Sequence, residues 1–285
     1  MASRPQWPPE SLKDTVWQKH EPALSALYDL MAEVGQALRN LPAGAMPRSV
    51  QRVVVLHLFV RTYKSSQAIF CLYANGFSQD AQSLLRGLSE GVIDLWYILR
   101  RPGVRARQFA DFWVIGHRDW VRRIEKTFPE WPVPRRVRAR IESDYNELVE
   151  RRPHYKRLSK NWSAESIATR AQEADCIYLY YYYLQACQML HSDPRSVRSY
   201  LRPGEGIDDG PSLPSEANKK VIEVTYACLL DAFNAANYAL KWRKGNLVKD
   251  AKRRFKREFQ TETERLTPRA IELMEEAAAE AAGDG

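Results

Sequence analysis

Three ionisable side chains, Arg86, Glu90 and Asp94, stand at four-residue intervals in one apolar segment. In a helix, residues four apart lie above one another on one face. The leucine, isoleucine, tryptophan and tyrosine around them would bury most of such a helix, and a buried charge is tolerated only when it is paired and hydrogen-bonded. Two interpretations fit: an ion pair that braces neighbouring helices, or a pocket in which Arg86 orients an anionic ligand and Glu90 acts as a base.

A tyrosine and a histidine further along the chain would complete such an active site. Tyr183 and His191 lie two helical turns apart on one face of an apolar, Tyr-rich segment. Histidine titrates near neutral pH and is suited to general acid–base work, although a histidine at a helix C-terminus also satisfies the last carbonyl groups. If the protein is an enzyme, we predict the catalytic set Arg86, Glu90, Tyr183 and His191.

The same segment carries five tyrosines within six positions, Tyr178 and Tyr180 to Tyr183. Consecutive helical residues point in different directions, so these five side chains cannot all face the core. Core packing with the hydroxyls turned to polar groups is one expectation, and stacking on bases or a dimer surface is the other.

Positive charge is concentrated near the C-terminus. Residues 241–257 contain nine Lys or Arg and one Asp. The net charge of this segment is therefore +8, which equals the net charge of the whole chain. Clustered cations bind nucleic acid by releasing counterions from phosphate, and Trp242 and Phe255 lie among them. A solvated helical face balanced by the acidic C-terminal tail is the alternative. The predicted contacts to RNA or DNA are Lys241, Arg243, Lys244, Lys252, Arg253, Arg254, Lys256 and Arg257. Arginines at 100–107 and 135–140 also favour binding.

Composition limits the remaining possibilities. A hydrophobic share of 45% in 285 residues is ample for a core. The chain lacks the P-loop, the dinucleotide-binding glycine motif, the H-E-x-x-H motif and the G-x-S-x-G motif. The absence of a signal-like N-terminus or a long apolar run predicts a cytoplasmic protein without a membrane span. Four cysteines without C-x-x-C spacing predict buried, reduced thiols, and we expect no metal and no cofactor.

The apolar spacing is helical nearly throughout. It predicts an all-α bundle of long antiparallel helices, with Asn75-Gly76 and Pro102-Gly103 as breaks and a loop from Arg202 to Pro214. Ser78 and Ser163 are predicted to cap helices. The predicted helices cover residues 11–41, 48–75, 78–101, 104–128, 135–151, a short stretch after 163, a Tyr-rich helix to 191, and 215–244, followed by two segments separated near Thr267-Pro268. We divide the chain into an N-terminal helix (1–45), a core domain (46–240) and a basic, then acidic, extension (241–285).

Three separated blocks resemble a known bacterial family. They are SSQAIFCLYANGFSQDAQSLLRGLSEGVIDLWYILRRP, WSAESIATRAQEAD and YYYLQACQMLHSDPRSVRSYL. In this order they look like the domain of unknown function 5677, over roughly residues 50–240. The resemblance implies an all-helical fold with a polar cluster drawn from the Asn-Gly corner, the Arg-x-x-x-Glu pair and the Tyr-rich helix. By looser analogy, this arrangement is similar to helical folds of bacterial toxin–antitoxin and phage-defence systems.

These features favour a nucleic-acid-binding protein that uses the basic C-terminal region and forms a homo-oligomer. The first alternative is a helical nuclease or nucleotide-modifying toxin that uses the polar cluster. The second is a protein-interaction scaffold or antitoxin-like partner, which would show neither turnover nor salt-sensitive binding.

Overall fold

The computed structural model describes residues 10–41, 48–158, 161–190, 201–202, 206–207, 212–215 and 218–259. Its α-helices are α1 Glu10–Arg39, α2 Val50–Ala74, α3 Ser78–Arg100, α4 Pro102–Thr127, α5 Arg135–Arg151, α6 Ile167–Glu173, α7 Ile177–Leu190, α8 Lys219–Leu240 and α9, residues 245–259. A 3-10 helix, Pro153–Arg157, follows α5. In the predicted loop, β1 Leu201–Arg202 pairs antiparallel with β2 Gly206–Ile207. The fold is an all-α bundle, as predicted, with this one short ladder in its described part.

Helix α3 lies at the centre of the bundle. It packs against α2, α4, α6, α7 and α8, while α1 packs on α2 and α8. Its buried apolar side chains recur three or four residues apart, which is why one helix can contact so many neighbours. These side chains include Ala81, Leu85, Leu88, Val92, Leu95 and Ile98. The stripe of ionisable residues on α3 is therefore positioned by the core of the protein.

The corner between α2 and α3 is formed by Asn75 and Gly76. Gly76 has a φ of +85°, and the Phe77 amide donates to the Leu72 carbonyl oxygen at 2.9 Å, which closes the end of α2. The predicted corner is thus confirmed. Ser78 begins α3 instead of capping it, and Phe77 occupies the cap position. The Ser78 hydroxyl is used elsewhere, because it accepts a hydrogen bond from the Asn218 side chain at 2.5 Å.

Replacing Gly76 with alanine is expected to lower the free energy of unfolding by about 1–3 kcal/mol. The residue would have to keep a left-handed conformation, and its Cβ would lie 2.9 Å from the Ser212 carbonyl oxygen. The midpoint of urea unfolding measures the change. Gly103→Ala is the matched control, because nothing lies within 4 Å of a Cβ at that position. Equal stability of the two variants would contradict the explanation.

The start of α6 and the end of α8 differ from the sequence prediction for identifiable reasons. Ser166, not Ser163, caps α6, since its hydroxyl accepts a hydrogen bond from the Thr169 amide at 3.1 Å. Helix α8 ends at Leu240 because Lys241 adopts a left-handed conformation with a φ of +58°. The expected break near Thr267-Pro268 lies outside the described residues.

The thiols differ in exposure. Cys176 and Cys228 are buried as predicted, but Cys71 is exposed on α2 and Cys187 is partly exposed. The prediction of buried thiols is wrong for Cys71, because the residue lies on the outward side of α2, in line with the exposed Lys64 and Gln67. The division into three parts stays a prediction, and buried side chains of α1 and α9 belong to the same core as those of residues 46–240. Within the described ranges, no helix is both long and apolar enough to cross a membrane.

Candidate functional site

The polar stripe of α3 faces α6 and α7. Asp94 is buried, whereas the side chains of Arg86 and Glu90 are about one third exposed, at 31% and 30%. The stripe therefore runs from a half-open end at Arg86 to a closed end at Asp94. The residues at these two ends have different partners and differ in the chemistry that they could perform.

At the closed end, Asp94 is held by two neighbours. The guanidinium of Arg170, which is 1% exposed, pairs with one carboxylate oxygen, and the indole Nε1 of Trp162 donates to the other at 3.0 Å. Arg170 also reaches Glu90, with Nη2 and Oε1 4.0 Å apart. Because both carboxylate oxygens are occupied by core side chains, the Asp94–Arg170 pair acts as a structural brace between α3 and α6.

Local structure delivers Arg170 to this position. Ser166 starts α6 and places Arg170 one turn into the helix. The helix ends at a sharp turn in which Asp175 has a φ of +55°, and the Cys176 amide donates to the Ala171 carbonyl oxygen at 3.0 Å. The turn reverses the chain, so that α7 returns along α3 and brings Tyr183 towards Arg86.

Burial changes the proton affinity of Asp94. Loss of hydration raises the pKa of this carboxyl from 3.8 to about 7, and it outweighs the attraction of Arg170 and the hydrogen bond from Trp162, which lower the pKa. Near neutral pH the carboxyl thus exchanges between charged and neutral forms. A carboxyl with such a pKa has the proton affinity of a general base, although Asp94 is too buried to contact bulk solvent.

At the half-open end, Arg86, Glu90 and Tyr183 are in contact. Arg86 Nη1 lies 3.4 Å from Glu90 Oε2, and Arg86 Nη2 donates to the Tyr183 hydroxyl at 3.2 Å. Cys187 lies beside Arg86 and Tyr183, one turn along α7. Burial raises the pKa of Tyr183, so its hydroxyl stays protonated at neutral pH. Three of the four predicted catalytic residues are therefore together, and His191 lies outside the described residues.

The tyrosine run divides as the helical geometry requires. None of its five members is fully buried. Tyr178 donates a hydrogen bond to the Asp231 carboxylate on α8, and Tyr180 stacks on Tyr183 with ring centroids 6.0 Å apart. The Tyr178 hydroxyl thus reaches a polar partner on α8, while the rings of Tyr180 and Tyr182 pack against the main core.

Arg170 is the residue of this cluster that the sequence reasoning missed. It lies in the block WSAESIATRAQEAD, which carries part of the family resemblance. The signal was indirect: a carboxylate as deep as Asp94 in an apolar helix requires a cationic partner. Nothing in the sequence says which of the chain's arginines supplies it, because that depends on how α6 packs against α3.

The basic C-terminal segment exposes most of its cations. Helix α9 buries Val248, Ala251 and Phe259 on one side. Five exposed cations follow the spacing i, i+3, i+4, i+7 and i+8 along another side, so that they form one stripe. They are Lys249, Lys252, Arg253, Lys256 and Arg257, and Lys241, Arg243 and Lys244 are exposed in the link before the helix. Lys249 was missing from the sequence-based set.

Some members of the segment have structural roles. Arg254 is only 16% exposed and pairs with Glu33 of α1 at 2.6 Å. Trp242 packs on Phe59 with ring centroids 5.4 Å apart, and Phe255 packs on Tyr226 at 5.5 Å. Both rings are partly buried and pack against the main core, so the exposed side of the segment consists mainly of its cations.

The arginines of residues 100–107 and 135–140 differ in exposure and in their contacts. Arg105 is buried and donates to the Tyr97 carbonyl oxygen at 2.8 Å, and Arg100 pairs with Asp175. In contrast, Arg135, Arg136 and Arg140 are exposed.

Within the part of the chain that the structure describes, no group of three or more His, Cys, Asp or Glu is arranged to hold a metal ion.

Comparison with known proteins identifies the family of the chain. A family model described as a family of unknown function, DUF5677, covers residues 52–209, which is more than half of the chain. No curated protein and no solved structure matches. The matched region includes the polar cluster on α3, α6 and α7 and ends before α8 and α9.

Proposed function

Because the chain belongs to the DUF5677 family of unknown function, we propose a function from its side chains: binding of nucleic acid through the basic segment, residues 241–257. The observation that carries the proposal is the exposed stripe of cations on α9, together with the three exposed cations of the preceding link. Phosphate groups along a strand are matched by such a row of Lys and Arg.

Ion pairs with carboxylates balance only part of the positive charge of this segment. The main carboxylate contacts in the segment are Arg253 with Asp250, Arg257 with Glu258, and the partly buried Arg254 with Glu33. Lys244, Lys249 and Lys256 have no ion pair among the described residues. Like charges on one helix face repel one another, so an anionic partner would relieve this repulsion.

A salt titration tests the proposal. We expect the full chain to bind labelled RNA and DNA with an affinity that falls as salt rises, with a log–log slope of about −6 to −7 if the five stripe cations and the three link cations contact phosphates. The recovered strands should be intact on a gel. Absence of binding, or a slope near zero, would contradict the proposal and would direct attention to protein partners.

The second candidate is catalysis at the half-open end of the polar stripe. Its support is the contact of Arg86 with Glu90 and Tyr183, in a position where the side chains of Arg86 and Glu90 are about one third exposed. This cluster of residues would suit a nuclease or a nucleotide-modifying toxin, in which Arg86 binds a phosphate group and Glu90 acts as the base. Cleavage that is lost in Glu90→Gln and in His191→Ala, with folding intact, would establish this function in place of simple binding.

A further inference from the structure

A helical hairpin projects from the bundle. It consists of the second half of α4, α5 and the 3-10 helix, and we call residues 111–158 the arm. Helix α5 makes its main contacts with α4 and the 3-10 helix. The arm also has a small core of its own, separate from the main one, formed by Ile115, Leu148, Tyr155 and Leu158. Among the described residues, nothing covers most of the surface of α5, and its side chains are mainly exposed.

Ion pairs between its two helices hold the arm in shape. Arg118 pairs with Glu142 at 2.9 Å, and its guanidinium lies 3.6 Å from the centre of the Tyr145 ring. Arg138 pairs with Glu125, and Arg152 pairs with Asp111 at 3.3 Å. Contacts along the whole length of the hairpin make it a preformed support for the side chains it exposes.

Three aromatic rings form a row on the outer face of α4. Trp113 and His117 have ring centroids 4.9 Å apart, and those of His117 and Trp120 are 6.2 Å apart. Trp113 is 69% exposed and Trp120 is 57% exposed. At the tip of the arm, Trp131 is 65% exposed and stacks on Phe128. Exposed indoles at this density leave large apolar ring faces in water, which indicates a binding surface.

The arm is also strongly basic between residues 118 and 140. Residues 118–140 contain eight Lys or Arg and three Asp or Glu. Arg123 follows Trp120 by three positions and so lies beside it on α4. Arg135 and Arg136 occupy the first turn of α5, where the helix dipole disfavours cations. Among the described residues, Arg123, Arg135 and Arg136 have no ion pair, so they are available to an anionic partner.

We infer that the arm is a second nucleic-acid contact, one that binds single strands by stacking unpaired bases on Trp113 and Trp120 while its arginines contact phosphate. Aromatic rings beside cations match the two faces of a single strand, its bases and its backbone. In a duplex the base faces are covered by their neighbours. The inference rests on the proposed function only in its choice of nucleic acid as ligand, since the residues are different from those of the C-terminal segment.

The test compares Trp113→Ala/Trp120→Ala with the wild type in binding to labelled single strands of about 20 nucleotides and to the matching duplexes. We expect single-strand affinity to fall at least about tenfold, because each stacked base contributes substantially, and duplex affinity to change little. The salt slope should stay the same, since no charge is removed. Trp113→Phe/Trp120→Phe should restore most of the loss.

The control is Tyr238→Ala, which removes an exposed aromatic ring that lies outside the arm and is 77% exposed. Circular dichroism shows whether each variant folds. Unchanged single-strand affinity in the double alanine variant overturns the inference, as does absence of single-strand binding by the wild type. An oligomer that dissociates in this variant without loss of affinity assigns the rings to a second copy of the chain instead.

The outcomes separate the two nucleic-acid sites. If substitutions in residues 241–257 weaken binding and the tryptophan substitutions do not, the proposed function stands and the inference fails. If only the tryptophan substitutions weaken binding, the arm is the contact and the C-terminal proposal fails. Binding of vesicles that contain anionic lipid, lost with the tryptophans while nucleic-acid affinity is unchanged, overturns the inference in favour of a membrane surface.

Discussion

Arg170→Met is expected to lower the free energy of unfolding by about 3–5 kcal/mol. Arg170 is 1% exposed, and its guanidinium is the charged partner of Asp94 at the contact between α3 and α6. Methionine fills a similar volume but leaves the carboxylate without its partner in the core. Urea unfolding monitored by circular dichroism measures the loss.

The pH dependence gives a second readout of the same pair. The pKa of Asp94 in the folded chain is about 7 and its ordinary value is 3.8, so the folded state binds this proton more tightly than the unfolded state. The stability contributed by this proton is therefore present at acidic pH and lost as the pH rises through about 7. Removing Arg170 raises the pKa of Asp94 further. The deficit of Arg170→Met relative to the wild type should consequently grow between pH values of about 6 and 9.

Two variants serve as controls. Arg151→Met removes an exposed arginine that pairs with Glu147 at 3.2 Å, and it should cost less than about 0.5 kcal/mol. Asp94→Asn combined with Arg170→Met should recover part of the loss, because no unpaired charge then remains. If Arg170→Met is no more destabilising than Arg151→Met, the brace has no energetic role and a functional role for the pair gains support.

Replacing Lys244, Lys249 and Lys256 with glutamine should weaken nucleic-acid binding several hundredfold at about 0.1 M salt. Each phosphate contact contributes about 0.9 to the salt slope on duplex DNA, so the slope should become less steep by about three. All three lysines are exposed, and glutamine has a similar helix propensity, so folding should not change. Titration of labelled DNA over a range of salt concentrations gives both quantities.

The matched control removes the same charge from another surface. Arg52, Arg61 and Lys64 are exposed on α2, and their replacement with glutamine should leave the slope within about one of the wild-type value. Equal weakening by both triple variants would mean that net charge alone attracts the nucleic acid. No weakening in the C-terminal variant would remove the basis of the proposed function.

Much of the fold follows from local sequence signals. The periodicity of apolar residues predicts long helices, and α5 covers residues 135–151 as predicted. The Asn75-Gly76 corner follows from the ease with which glycine adopts positive φ. Four-residue spacing places Arg86 and Glu90 within 3.4 Å of each other, because that contact lies within one helix.

Contacts between helices were decided by the tertiary structure alone. The pairing of Asp94 with Arg170, and of Arg254 with Glu33, joins residues far apart in sequence, and local periodicity carries no information about which arginine meets which carboxylate. The same holds for the aromatic rings. Trp242 and Trp120 both stand among cations in the sequence, yet Trp242 packs on Phe59 while Trp120 faces solvent. The sequence by itself determined the helices and the places where charge accumulates. Which side chains the core encloses and which remain available to a partner depends on the packing of those helices, because burial is a property of the assembled bundle.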